Sequence, residues 1–124
     1  MFCTHIYFNG NCQEAIDLYK KVSCVKVITV MANPEIGKGN EVIHAEIEIH
    51  GQKLMLNDFG DNEGVTHAGG YQLVVQFDSI AELDEMYDVL SENGTIITPR
   101  QPTDYSECVV RFKDKFGIPW ALWV

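Results

Sequence analysis

The order of helix-like and strand-like segments occurs twice along the chain, and this repetition constrains the fold more than any single motif. Asn11 stands three residues before Glu14, a capping-box spacing, and apolar Cys12, Ala15, Ile16 and Tyr19 follow at i, i+3, i+4 and i+7. Ser79 stands three residues before Glu82, and Ile80, Leu83, Met86, Tyr87 and Leu90 make a second stripe that Asn93-Gly94 closes. Each helix is preceded by a strand-like run (CTHIYFN; YQLVVQF). CVKVITVM, EVIHAEIEI and KLMLND follow the first helix; TIITPRQ, ECVVRF and IPWALWV follow the second. Turn chemistry separates these runs at Asn33-Pro34, Gly37-Lys38-Gly39-Asn40, His50-Gly51, Pro102 and Lys115-Phe116-Gly117.

The pattern is β-α-β-β-β twice, with Tyr19 matching Tyr87 and Gly51 matching Gly117. Module one covers about residues 1–60 and module two about 68–124, with NDFGDNEGVTHAGG as connector. A module of roughly 60 residues is marginal alone, so each needs the other's apolar face, and the 124 residues read as one α+β domain. The aromatic C-terminal run is then a sheet element, with Trp120 and Leu122 under the second helix.

Composition narrows the function classes. Eighteen acidic residues against nine basic give a net charge of −9, which repels phosphate backbones and anionic lipid heads. Nucleic-acid and membrane partners are not expected, and no apolar run has the length of a membrane span. MFCTHIYFNG lacks the pattern of a signal peptide. Cys3, Cys12, Cys24 and Cys108 are spread without a CxxC, as expected for reduced thiols in the cytoplasm; their even number leaves a disulfide reading open.

Strand alternation assigns faces. In the first strand Ile6 and Phe8 lie under the helix, which turns Cys3, His5 and Tyr7 to the other side. In the fifth, Leu73, Val75 and Phe77 lie under the helix, so Gln72, Val74 and Gln76 face away, and His5 is matched with Gln72. In HAEIEIH one face carries His44, Glu46, Glu48 and His50. That face is either solvated or holds His44 beside Glu46 as an acid/base pair. Tyr7 and Trp123 are aromatic candidates for the wall of a small-molecule site, or core. Cys3 beside His5 reads as packing, and Arg100 and Arg111 read as surface residues, although an isolated arginine can clamp a carboxylate. Gly37-Lys38-Gly39-Asn40 lacks the full phosphate-loop pattern, and Asp58–Glu63 lacks EF-hand spacing.

A tandem βαβββ arrangement resembles the vicinal oxygen chelate superfamily. FNGNCQEAIDLY, VIHAEIEIHGQKLMLND, LSENGTIITP and DKFGIPWAL resemble its PhnB-like branch. The resemblance implies a curved eight-stranded mixed sheet around a cavity, commonly in a homodimer. It also implies one divalent metal held by His or Glu from the first and last strands of each module, where the last strand reads G-x-x-x-E-L. Here Met55 and Ala121 stand at the glutamate positions.

The expectation is a small-molecule-binding protein whose aromatic-walled cavity bears His5, Tyr7, His44, Glu46, Met55, Gln72 and Trp123, with no cofactor and no metal ligands. One alternative is a lyase, transferase or dioxygenase-type enzyme that recruits a divalent metal through His5, His44 and Glu46. The other is a protein-interaction module.

Overall fold

The computed structural model describes residues 1–32, 41–58 and 64–124. They form two compact units, Met1–Thr66 and His67–Val124. The first unit runs β1 (Thr4–Phe8), α1 (Cys12–Tyr19), β2 (Val25–Ala32), β3 (Val42–Ile49) and β4 (Gln52–Asp58). The second runs β5 (Leu73–Gln76), α2 (Ile80–Leu90), β6 (Thr95–Thr103), β7 (Ser106–Lys113) and β8 (Pro119–Trp123). The eight expected strands form two open four-stranded mixed sheets, ordered β1-β4-β3-β2 and β5-β8-β7-β6. In each, the first and last strands of the unit pair in parallel and the remaining pairs are antiparallel. The turns read at Asn33-Pro34 and Gly37–Asn40, and residues 59–63 of the connector and acidic loop, lie outside the described residues. No helix among the described residues is long and apolar enough to cross a membrane.

The first unit buries Ile6, Phe8, Ala45, Ile47, Leu54 and Leu56 with Cys12, Ala15, Ile16 and Tyr19 of α1. The expected capping box at Asn11 does not form: the Asn11 side chain makes no cap bond to the helix and instead accepts from the Asn9 N–H at 3.2 Å. Asp58 takes that role from a strand. Its Oδ1 accepts the N–H groups of Gly10 (2.8 Å) and Cys12 (3.0 Å), and its Oδ2 accepts that of Val42 (2.9 Å). One buried carboxylate thus satisfies the helix start and fixes β3, with charge-assisted bonds stronger than a neutral cap supplies. Burial, and then the Asp58 charge, push the Cys12 thiol up to about 12, so it packs as an inert hydrophobe.

In the second unit Val75, Phe77, Val110, Phe112, Trp120 and Leu122 are buried with Leu83, Met86 and Leu90 of α2. The Tyr87 ring meets Phe112 edge-on at 5.7 Å. Here the capping box does form, because Ser79 Oγ accepts the Glu82 N–H at 3.2 Å and donates to Glu82 Oε1 at 3.0 Å. The aromatic C-terminal run is an interior strand between β5 and β7. Pro119 heads it, a position where the missing donor is tolerated. Buried Asp114 holds the preceding turn. Its Oδ1 accepts the N–H groups of Phe116 (2.9 Å) and Ile118 (3.0 Å), and its Oδ2 accepts Trp120 Nε1–H at 3.0 Å.

Candidate functional site

The sheet register brings five of the seven candidates together in the first unit. On β1 only Ile6 and Phe8 are buried, so His5 and Tyr7 stand on the face away from α1. His5 is paired with Met55, and Met55 with Glu46, which forms one cross-sheet row. His44 lies two residues from Glu46 on the same face, because intervening Ala45 is fully buried. The HAEIEIH alternation therefore gives half-buried His44, Glu46 and Glu48 on the helix-free face and Ala45 and Ile47 in the core.

Four of the five are linked through rings and charges, and Met55 joins them through the ladder register. The His5 and Tyr7 rings lie 4.8 Å apart, and the His5 and His44 rings meet edge-on at 6.4 Å. Asn57 Nδ2 donates to the Ile43 carbonyl at 3.1 Å, which aims Oδ1 at His5 Nε2, 3.2 Å away. That network assigns the proton to Nε2 and makes Nδ1 the acceptor in the neutral ring. His44 Nε2 lies 3.7 Å from Glu46 Oε2, an electrostatic contact rather than a hydrogen bond. Lys53 Nζ lies 2.8 Å from Glu46 Oε1. The Lys53 hydrogen bond and charge hold the Glu46 carboxyl below the usual carboxylate range.

Gln72 and Trp123 belong to the second unit. Gln72 is exposed and precedes β5; Trp123 is half-buried at the end of β8, opposite Gln76 and Val109. The expected equivalence of His5 with Gln72 is wrong by two residues. His5 pairs with Met55 in the parallel β1–β4 ladder, and Ala121 occupies Met55's place in the parallel β5–β8 ladder, where its partner is Val74. Phe8 therefore matches Phe77, and the loop before α1 is the longer of the two.

This register tests the superfamily's donor positions within each unit. The first unit offers His5 and the thioether of Met55; the second offers Val74 and Ala121, which have no donor side-chain atom. One imidazole and one thioether do not make a divalent-metal set. Nor do three His, Cys, Asp or Glu side chains among the described residues group closely enough to hold an ion. Asn57 and Lys53 were missed as site residues. The signal for both was in KLMLND, where Lys53, Met55 and Asn57 alternate onto one face.

A family model described as 3-demethylubiquinone-9 3-methyltransferase matches residues 1–123. Protein YjdN of Escherichia coli (strain K12) is 25% identical over 134 residues, covering 95% of this chain and 90% of its own. The solved structure of the PhnB protein from Bacillus cereus is 26% identical with a TM-score of 0.88, covering 98% of this chain and 97% of that one. A glyoxylase/bleomycin resistance protein/dioxygenase domain from Frankia sp. EAN1pec shares the fold at 15% identity and a TM-score of 0.66, covering 99% of this chain and 93% of that one.

Proposed function

Because the chain belongs to the PhnB-like family described as 3-demethylubiquinone-9 3-methyltransferase, within the vicinal oxygen chelate superfamily, we propose that it binds a small molecule without the superfamily's usual metal. The observation that carries this reading is the helix-free face of the first sheet. There His5, Tyr7, His44, Glu46 and Met55 converge, while the register puts Met55, Val74 and Ala121 where donors would be needed. The residues have complementary capacities. His5 Nδ1 accepts a hydrogen bond from a ligand donor, with its ring held by Asn57. Tyr7 and His44 supply flat ring surface, and Met55 an adaptable apolar floor. Glu46 is already matched by Lys53, so its charge orients that lysine rather than awaiting a cation. A reducing cytoplasmic setting is part of this reading, supported by four free cysteines.

A second reading, a lyase, transferase or dioxygenase-type enzyme using a metal at His5, His44 and Glu46, draws on the 3.7 Å approach of His44 to Glu46. Calorimetry separates the two. A ligand found in a small-molecule panel should bind metal-free protein, and His5→Ala and His44→Ala should each weaken it about tenfold, the scale of one lost hydrogen bond or ring contact. Gln13→Ala, on the exposed side of α1, should leave affinity unchanged. Affinity that appears only on adding a divalent ion supports the enzyme. A protein-interaction module would bind no member of the panel.

A further inference from the structure

Among the described residues, two cations are half-buried and yet lack an ion pair, whereas the other unpaired ones, Lys21, Lys26 and Lys115, are exposed. Lys20 has Asp17 at 3.0 Å and Lys53 has Glu46 at 2.8 Å; Arg100 holds Asp84 bidentately at 2.6 and 2.9 Å. Arg111 and Lys113 are different. They stand two residues apart on β7 with fully buried Phe112 between them, so both project from the helix-free face of the second sheet, roughly 7 Å apart along the strand. Both are half-buried, and among the described residues neither has an ion pair or a side-chain hydrogen bond.

Their neighbours are suited to a ligand. Thr98 pairs with Arg111 and Thr95 with Lys113 on one side. On the other side Arg111 faces Ala121 and Lys113 faces Pro119, with Val74 beyond Ala121 and Trp123 one row away. Val74 is 48% exposed. Two like charges at this spacing repel, and partial desolvation adds to the cost, yet no carboxylate among the described residues forms an ion pair with either. An anion there relieves both penalties, and the guanidinium fork suits a planar or tetrahedral oxyanion.

We propose that the helix-free face of the second sheet binds the oxyanion head of an organic acid. Arg111 and Lys113 flank the anion, Thr95 and Thr98 offer hydroxyl donors, and the acid's apolar body lies against exposed Val74 and half-buried Trp123, with fully buried Ala121 beneath. This stands independently of the reading of the first sheet. Benzoate, phenyl phosphate and neutral benzyl alcohol are the probes, titrated at low ionic strength with calorimetry and the Arg111 Nε resonance as readouts. Benzoate or phenyl phosphate should shift that resonance saturably while benzyl alcohol does not, and their ranking tells carboxylate from phosphate. Arg111→Gln and Lys113→Gln should each weaken acid binding about tenfold, the scale of one charge-assisted bond. Arg111→Lys should retain more affinity than Arg111→Gln. Because the resonance is read in the unmodified protein, the outcome does not depend on any variant folding. No saturable shift with either acid, or an equal shift with benzyl alcohol, overturns the proposal.

Discussion

Single buried groups decide much of this structure. Asp114 closes the turn into β8 by accepting two backbone N–H groups and the Trp120 indole. Asp114→Ala strands three donors in a buried setting and should cost about 3 kcal/mol or more, read from chemical denaturation. Asp114→Asn, which keeps acceptor oxygen but loses charge, should cost less. Gly94 is a second such point. A Cβ there would overlap the Lys113 carbonyl oxygen, so Gly94→Ala should destabilise by about 1–3 kcal/mol. Glu46 makes a pH prediction. Its carboxyl is held below the ordinary range by Lys53, so the ion pair contributes above the unfolded value and is lost as pH falls through the folded one. Lys53→Met should raise the Glu46 midpoint, measured by carboxyl carbon resonances; an unchanged midpoint would contradict the pairing. The Glu46–Lys53 and Gly94–Lys113 contacts are not visible from sequence spacing, because each joins separate segments, whereas the Asp114 bonds are local to the turn Asp114–Trp120.

At the scale of elements, alternation and capping signals carried far but register did not. Ile6, Phe8, Val75, Phe77, Trp120 and Leu122 all lie on the buried side that period-two reading assigns them. Ser79 caps α2 as its spacing implies, whereas Asn11 does not cap α1, since Asp58 arrives from β4 with a stronger acceptor. The match of His5 with Gln72 failed because strand-to-helix loops differ in length, and only ladder hydrogen bonds reveal which residues are equivalent. The placement of β8 has a direct consequence. Removing residues 118–124 deletes an interior strand with buried Trp120 and Leu122, each worth about 2–5 kcal/mol on the large-to-small scale. That approaches the whole stability of a domain, so the truncated chain should show no cooperative unfolding transition. A cooperative transition in that fragment would contradict the assignment of β8 to the sheet interior.

For the molecule as a whole, the tandem βαβββ order was readable because it is written in periodicity and turn residues. The candidate face was readable only in part: His5, His44 and Glu46 were found, while Asn57, Lys53 and the Arg111–Lys113 pair acquire meaning from neighbours across strands. The resemblance leads us to expect a homodimer, seen in light scattering as about twice the 14.0 kDa chain. A constant 14.0 kDa across micromolar concentrations would contradict it. The central claim is that the first sheet's helix-free face binds a small molecule without a metal. The most direct measurement is the unfolding midpoint of the protein against a small-molecule panel, with and without a chelator. A true ligand stabilises the fold by mass action. The account predicts the same stabilisation in both conditions and its loss in His5→Ala. Stabilisation that vanishes with chelator and returns with zinc or nickel would contradict it.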